Sequence, residues 1–248
     1  MAEPEAWLGG RLRLRQPPRG AHRAGTDAVL LASLLTPSGE DTVCDAGAAT
    51  GAVGLAVALR APGCRVLLVE RDPMLADFAR GNAETNGMAE RVAVIEADML
   101  APGAARHAAG LRPGLADLLL TNPPFFEGAA HRPSPVAGKA DAHAFAQGGL
   151  EPWLRTCVDL LKAHGRLGLV HRADALPACL AILRNRVGAI TVRPVLPSVN
   201  RPAIRILLTG VKGSRGPFSL LPPLILHDET GRFTPEAEAL HRGMPPPS

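Results

Sequence analysis

The chain of 248 residues has no tyrosine, only four cysteines, 3% aromatic residues and no long apolar run. Because no stretch reaches the roughly 18 apolar residues of a membrane helix, we predict no membrane span. The first residues lack a basic region followed by an apolar core, so we also expect no secretory signal.

The four cysteines, Cys44, Cys64, Cys157 and Cys179, lie far apart and form no CxxC pair. Disulfide frameworks and zinc sites use characteristic cysteine spacings that are missing here. We therefore expect buried free thiols, no metal site, and a reducing compartment such as the cytoplasm.

Basic residues are in slight excess, with 27 Lys and Arg against 23 Asp and Glu and a formal net charge of +4. This excess weakly indicates a polyanionic partner. Lysine is nearly absent, since Lys139, Lys162 and Lys212 are the three in the chain. Arginine suits phosphate contacts, but arginines are frequent throughout the chain. Their number therefore does not indicate phosphate binding, and only their positions can suggest which of them bind phosphate.

Apolar strands alternate with helical segments over most of the chain, which indicates a parallel sheet with helices on both faces and an α/β fold. We predict one domain, with an N-terminal extension (1–39), a core (40–211) and a C-terminal extension (212–248). Thr26 or Asp27 is expected to cap the first helix. Residues 127–149 are expected to form a functional loop or to be disordered. The predicted strands are 9–16, 42–46, 65–70, 91–97, 116–121, 166–170, 190–196 and 204–211, and the predicted helices are 28–35, 52–60, 73–86, 152–163 and 176–187.

Acidic residues end three successive predicted strands. Asp45 precedes a glycine-rich loop, Glu70 follows about 20 residues later, and Asp98 ends the third strand. The glycines Gly47, Gly51 and Gly54 do not fit the dinucleotide pattern GxGxxG. An acid before the loop favours a ligand that carries an ammonium group, and the second acid is placed to bind ribose hydroxyls.

The segment Thr121-Asn122-Pro123-Pro124-Phe125-Phe126 follows the fourth of these strands. Two prolines stop strand pairing and keep the chain extended, so Asn122 is presented at a rigid strand end. A carboxamide beside an aromatic ring suits a planar group that carries an NH2.

This arrangement resembles the class I S-adenosylmethionine-dependent methyltransferases over roughly residues 40–210. The resemblance implies a Rossmann-like, mostly parallel seven-stranded sheet and S-adenosylmethionine as the cofactor. Ala49 departs from the family pattern, which usually has glycine there, and its methyl group could crowd the cofactor. The implied cofactor contacts are Thr26, Asp45, Gly47, Gly51, Glu70, Asp98, Met99 and Asn122.

Asn-Pro-Pro-aromatic motifs are the hallmark of members that methylate an amine conjugated to a planar system. His22 to Leu31 and the tail motifs at 201–203, 212–215 and 221–227 further resemble the bacterial tRNA (adenine-N6)-methyltransferases that modify position 37. That resemblance implies catalysis by Asn122, Pro123, Pro124 and Phe125. We expect a tRNA partner bound at the mouth of the active site, mainly by Arg23, Phe126, Arg132, Lys139, Lys212 and Arg215, with Arg11, Arg13, Arg15 and His22 as further basic candidates.

Three alternatives remain open at this stage. A protein glutamine methyltransferase of the release-factor type would use the same planar-amide logic, although such enzymes carry a helical N-terminal domain. A guanine-N2 methyltransferase of rRNA would often carry a duplicated domain. An inactive cofactor-binding module is suggested by Ala49 and opposed by the intact Asn122 motif.

Overall fold

The computed structural model describes residues 3–18, 23–124 and 149–244. Its strands are β1 (Glu5–Trp7), β2 (Leu12–Leu14), β3 (Thr42–Ala46), β4 (Arg65–Glu70), β5 (Val92–Glu96), β6 (Ala116–Thr121), β7 (Leu161–Arg172), β8 (Val187–Leu196), β9 (Arg205–Lys212), β10 (Ser219–Leu220) and β11 (Leu224–Ile225). Its helices are α1 (Thr26–Ser33), α2 (Ala52–Arg60), α3 (Pro73–Thr85), α4 (Gly103–Ala108), α5 (Leu150–Leu160), α6 (Leu176–Leu183) and α7 (Pro235–His241).

Strands β3 to β11 form one sheet in the order β10-β8-β9-β7-β6-β3-β4-β5, with β11 also pairing with β8. Among these strands, β9 alone runs antiparallel to its neighbours, β7 and β8. The seven longer strands match the predicted seven-stranded sheet. The two-residue strands β10 and β11 extend the sheet beyond the expected edge.

Helices cover both faces of the sheet, as the apolar strands predicted. In β6, Leu118 and Leu120 belong to one buried cluster and Leu119 to the other, because successive side chains point to opposite faces. The first cluster includes residues of α1, α2, α3 and α7, and the second includes residues of α5 and α6. All four cysteines are buried and free, as expected.

The N-terminal strand prediction is only partly right, because β2 is confined to Leu12–Leu14 and pairs with β1 as a hairpin. Leu8, Gly9 and Gly10 have positive φ and form the turn, which removes residues 9–11 from the strand. The predicted alternation holds within β2, where Leu12 and Leu14 are buried and Arg13 is exposed.

The predicted cap of α1 is wrong. Gly25 occupies the cap position and no side chain caps the helix. Asp27 lies inside the first turn, where its carboxylate accepts hydrogen bonds from Arg205 Nε at 3.0 and 3.1 Å. An acid in the first turn is also favoured by the helix dipole, so Asp27 joins α1 to β9.

Helices α5 and α6 end earlier than predicted. Leu161 pairs with Ala116 at the start of β7, which ends α5 at Leu160. Asn185 has a φ of 62°, and Val187 pairs with Lys212 in β8, which ends α6 at Leu183. In both cases, residues that the sequence periodicity predicted to be helical lie outside the helix, because the chain there enters or approaches a paired strand.

Candidate active site

The carboxyl ends of β6, β3, β4 and β5 lie side by side. Thr121 pairs with Ala46, Ala46 with Val69, and Val69 with Ile95. Asn122 and Gly47 follow directly and Glu70 ends β4, so all three lie at one edge of the sheet, which is where open α/β sheets bind ligands.

A cavity at this edge brings together three residues predicted from the sequence: Asp45, Gly47 and Asn122. Thr26, Gly51, Glu70, Asp98 and Met99 do not line it. The wall is completed by α1, by the rest of the glycine-rich loop and by the start of α2. The lining residues are Ala24, Ala28, Leu31, Asp45, Gly47, Ala48, Ala49, Thr50, Ala52, Val53 and Asn122.

The loop of residues 47–51 is tightly hydrogen-bonded. The backbone N–H groups of Gly47 and Ala48 both donate to the Val69 carbonyl at 2.9 Å, and Gly51 N–H donates to the Ala48 carbonyl at 2.8 Å. Gly47 and Gly51 have φ of 79° and 82°, a region that glycine enters without strain. A Cβ at Gly47 would lie 3.2 Å from the Trp153 ring. Glycine at position 47 is thus favoured by backbone angle, and a larger residue would also have to displace the Trp153 ring slightly.

Trp153, which was not predicted as a site residue, packs beside Gly47 of this loop. Its indole Nε1 donates to Thr121 Oγ1 at 2.9 Å, and that hydroxyl donates to the Ala46 carbonyl at 3.0 Å. The tryptophan, on α5, is buried. It therefore links the last residue of β6 to the last residue of β3. From the sequence, an apolar residue in the predicted helix 152–163 indicates only a core position.

Asn122 and the two prolines continue from β6 as predicted. Asn122 is half-buried and lines the cavity, Pro123 is buried and Pro124 is exposed. Phe125, Phe126, Arg132, Lys139 and His22 lie outside the described residues. The roles assigned to them stay predictions.

Comparison with known proteins identifies the class of this site. The sequence model of the methyltransferase small domain family matches residues 22–189. The chain belongs to this family. It is 30% identical over 234 residues to a tRNA1(Val) (adenine(37)-N6)-methyltransferase of Porphyromonas gingivalis, covering 87% of this chain and 86% of that protein.

Two further similarities extend the comparison. A release factor glutamine methyltransferase of Moorella thermoacetica is 31% identical over 183 residues, covering 71% of this chain and 62% of that protein. The crystal structure of a predicted O-methyltransferase from Agrobacterium tumefaciens has a TM-score of 0.74 at 30% identity, covering 88% and 97% of the two chains. The chain is therefore a class I methyltransferase with S-adenosylmethionine as its cofactor.

The cavity of this methyltransferase fits the methionine part of that cofactor. The glycine-rich loop contributes Gly47 to Thr50 to the cavity wall, and the small residues there let a ligand approach the backbone closely. The carboxylate of Asp45 provides negative charge in the cavity wall, which complements an ammonium or sulfonium group. Neither the resemblance nor the fit depends on a metal, and the described residues contain no group of three or more His, Cys, Asp or Glu that could hold one.

Asp45 is 2% exposed, and its Oδ2 accepts a hydrogen bond from the backbone N–H of Gly54 at 2.9 Å. Burial raises the pKa of Asp45 to about 7, the hydrogen bond from Gly54 lowers it, and the nearby Glu70 raises it further. A cation in the cavity would favour the ionised form of Asp45. The protonation of this carboxyl is thus coupled to the charge of whatever occupies the site.

Glu70 ends β4 as predicted, whereas Asp98 lies two residues beyond the end of β5, and both carboxylates hold backbone groups. The Glu70 carboxylate accepts from Ala49 N–H at 2.8 Å, Arg71 N–H at 2.8 Å and Asp72 N–H at 2.9 Å. Asp98 Oδ1 accepts from Leu100 N–H at 2.8 Å. An ionised carboxylate offers about four acceptor positions, so each side chain keeps capacity for a hydroxyl or amine. Their cofactor contacts stay predictions.

The basic residues that were predicted at the mouth of the active site do not all lie there. Arg23 donates to the Pro17 carbonyl at 2.6 Å and forms an ion pair with Glu5 of the N-terminal hairpin. It precedes Ala24 of the cavity wall. Its guanidinium is therefore near the site but already engaged, and its substrate contact stays a prediction.

Lys212 and Arg215 lie at the opposite edge of the sheet, so the expectation that they border the mouth is wrong. Val211 pairs with Arg166, which pairs with Leu118 near the start of β6. This puts Lys212 roughly 15 Å below Asn122 along the strands. Its Nζ donates to the Leu161 carbonyl at 2.6 Å, which joins the end of β9 to the start of β7. The prediction for these residues came from their position after a strand, and β9 is the strand that runs the other way.

No helix of the described residues is long and apolar enough to cross a membrane.

Proposed function

We propose that this methyltransferase transfers the methyl group of S-adenosylmethionine to the exocyclic N6 amine of an adenine in tRNA, at a position-37 type of site. The observation that carries the proposal is the cavity shared by Asp45, Gly47 and Asn122. It joins a place for a cationic cofactor to a carboxamide at a rigid strand end. The tRNA1(Val) adenine(37)-N6 name of the P. gingivalis relative supports the substrate.

The adenine amine is a poor nucleophile because its lone pair is delocalised into the ring. We assign Asn122 Oδ1 and the Pro123 carbonyl as acceptors for its two hydrogens, which frees the lone pair. When bound, S-adenosylmethionine supplies a methyl group on a positively charged sulfur. Pro123 and Pro124 hold the acceptors in place, so that positioning and fixed dipoles provide most of the catalysis. The extra proton leaves the product nitrogen afterwards, and no strong base is needed.

Recognition of the base requires that it leave its stack. Phe125, next in the motif, is assigned to stack on it, an interaction worth about 1–3 kcal/mol. Glu70 is assigned to the ribose of the cofactor, and Asp98 with Met99 to its adenine. Thr26 and Gly51 complete the assigned cofactor contacts.

A release-factor glutamine methyltransferase is the second candidate, because the M. thermoacetica protein is 31% identical to the chain. An amide nitrogen is as planar as an adenine amine, so Asn122 would suit it equally. The match leaves more than a third of that relative uncovered, whereas the match to the P. gingivalis protein covers 86% of it. The tRNA assignment is therefore preferred.

The domain organisation and location follow from the same proposal. We assign the chain to one methyltransferase domain with short N- and C-terminal extensions. Its buried free cysteines support the cytoplasmic location expected from the sequence.

Nucleoside mass spectrometry tests the proposal directly. Purified protein and S-adenosylmethionine are incubated with total tRNA from cells lacking this gene, and N6-methyladenosine is expected to appear. Asn122→Ala should reduce the rate by about 100-fold or more, with little change in affinity for S-adenosylhomocysteine or in melting temperature. An unfolded variant would assign Asn122 to a structural turn, and a fully active one would refute its catalytic role. Methylation of a glutamine peptide but not of RNA would favour the second candidate.

A further inference from the structure

Asn82 of α3 and Asn86, which caps the C-terminus of that helix, hydrogen-bond to the backbone of Arg13 in β2 and of Arg15 just after it, as a neighbouring strand would. The Asn86 side chain accepts from Arg13 N–H at 3.0 Å and donates to the Arg13 carbonyl at 2.8 Å. The Asn82 side chain accepts from Arg15 N–H at 2.7 Å and donates to the Arg15 carbonyl at 2.9 Å. Four residues of a helix rise about 6 Å and two residues of a strand about 6.6 Å, so the two spacings match.

Asn82 makes one contact that Asn86 lacks. Its Nδ2 also donates to the carbonyl of Thr50 at 2.9 Å, inside the glycine-rich loop. Asn82 is 0% exposed and Thr50 is 2% exposed, so this bond is closed to water. Leaving a buried carbonyl without its donor is destabilising, which makes the loop conformation dependent on Asn82.

The segment beyond Arg15 leads into the cavity. Gln16 is buried, and its Oε1 accepts from Ala24 N–H at 2.8 Å. Ala24 and Thr50 both line the cavity. Asn82 therefore joins one wall, the glycine-rich loop, to the N-terminal segment that fixes the other wall at the start of α1.

We propose that Asn82 is a positioning residue for cofactor binding, which sets the glycine-rich loop through Thr50 and couples it to the N-terminal segment through Arg15. This inference rests on the proposed contact between that loop and S-adenosylmethionine. Asn82 itself touches neither cofactor nor substrate. Its effect is on the affinity of the loop for the cofactor and not on the chemical step.

Asn82→Ala and Asn86→Ala form a matched pair, since each removes two bonds to the backbone of the N-terminal segment. Each also removes one further bond, from Asn82 to the Thr50 carbonyl or from Asn86 to the Asn82 carbonyl, so only the first variant frees Thr50. We expect Asn82→Ala to raise the KM for S-adenosylmethionine and the Kd for S-adenosylhomocysteine about tenfold. The kcat at saturating cofactor and the KM for tRNA should change little. Asn86→Ala should lower the melting temperature without changing either cofactor constant. Equal effects of the two variants on cofactor affinity would overturn the inference.

Amide hydrogen exchange on the wild-type protein tests the coupling even if Asn82→Ala does not fold. On addition of S-adenosylhomocysteine, exchange of Arg15 N–H should slow together with the loop amide of Gly51, while Arg13 N–H changes little. If the Gly51 amide is protected and the Arg15 amide is not, the role of Asn82 is refuted while the proposed cofactor site stands. No protection of the Gly51 amide would refute the proposed cofactor site and the inference with it.

Discussion

Ala49 shows how one residue can carry strain at the centre of the site. Its φ is 48°, in the left-handed region that costs a non-glycine residue about 1–2 kcal/mol. Its N–H donates to Glu70 Oε2 at 2.8 Å, which holds it there. The chain therefore keeps the shape of this loop by a hydrogen bond and not by a glycine at position 49.

Ala49→Gly is expected to stabilise the protein. The strain is relieved, while the added freedom of the unfolded chain offsets roughly 0.4–1 kcal/mol of the gain, so the free energy of unfolding should rise by about 0.5–1 kcal/mol. Ala48→Gly is the control, because Ala48 is buried and has no positive φ. It should destabilise the protein. Urea denaturation measures both, and destabilisation by both variants would show that Ala49 is unstrained.

We predict that Asp45 makes the affinity for the cofactor dependent on pH. The pKa of Asp45, raised to about 7 mainly by burial, means that the carboxyl is largely protonated at pH 6 and ionised at pH 8. A cationic cofactor binds the ionised form more tightly, so binding should release a proton. Affinity for S-adenosylmethionine, measured by calorimetry, should fall by up to about tenfold per pH unit below pH 7. The amide of Asp45→Asn cannot titrate, and this variant should flatten the profile.

The same pKa shift predicts the stability of the free protein. A carboxyl whose folded pKa lies above its unfolded value contributes stability below pH 3.8 that is lost as pH rises through 7. Asp45→Asn removes the buried charge and can still accept from Gly54 N–H. At pH 8 the variant should therefore be more stable by roughly 2–4 kcal/mol. Equal stability of the two proteins at pH 8 would mean that Asp45 is not buried as described.

At the scale of elements, glycine determines how closely α2 approaches the sheet. A Cβ at Gly54 would lie 2.3 Å from Leu68 Cδ2 and 2.9 Å from Val66 Cγ1. Overpacking of this kind costs about 1–3 kcal/mol. Close approach also brings Gly54 N–H within 2.9 Å of Asp45 Oδ2, so helix packing and site electrostatics are linked here.

Gly54→Ala and Gly81→Ala should have opposite effects on stability. Both positions lie inside helices, where alanine is favoured over glycine by about 0.8–1.0 kcal/mol. Gly81 has no atom within 4 Å of a Cβ built on it, so Gly81→Ala should stabilise by about that amount. Gly54→Ala should destabilise despite the better helix propensity. Thermal unfolding compares them, and stabilisation by both would contradict the close packing of α2.

Sequence prediction succeeded where local and tertiary preferences agree. Strands β3, β4 and β6 and helix α2 have the predicted bounds, since each is an apolar run with turn residues at its ends. The ends of α5 and α6 were wrong because pairing with β6 and β9 overrides helical periodicity. Strands β10 and β11 exist only by pairing with β8, which no local pattern indicates.

The same distinction applies to the site. Asp45 is the penultimate residue of β3, and Gly47 and Asn122 directly follow strands, so the convergence of parallel strand ends predicted that they lie close together. Asn82 and Trp153 were missed, since their partners Thr50 and Thr121 are 32 residues away along the chain. For Asn82, the available signal was its position on the same helix face as Ala79 and Ala83. An asparagine on an apolar helix face indicates a buried polar side chain, and such side chains are uncommon.

At the scale of the whole molecule, the two edges of the sheet have different tasks. The edge formed by the carboxyl ends of β3, β4, β5 and β6 contains the cavity, which residues of α1 and Asn122 help to line. At the opposite edge, Lys162 forms an ion pair with Asp117 and Lys212 holds the Leu161 carbonyl. Both lysines are engaged in joining neighbouring strands, so we expect an RNA that reaches Asn122 to be held by other groups.

The salt dependence of tRNA binding distinguishes these edges. Each phosphate contact made by a cation releases a counterion, so the slope of log affinity against log salt should be reduced by about one per contact removed. The double variant Arg132→Ala with Lys139→Ala removes cations from the segment that follows Asn122, and its slope should be reduced by about two. Lys212→Ala with Arg215→Ala removes the same charge from the opposite edge and should leave the slope unchanged while lowering the melting temperature. The reverse result would mean that tRNA binds across the opposite edge and reaches the cavity by another route.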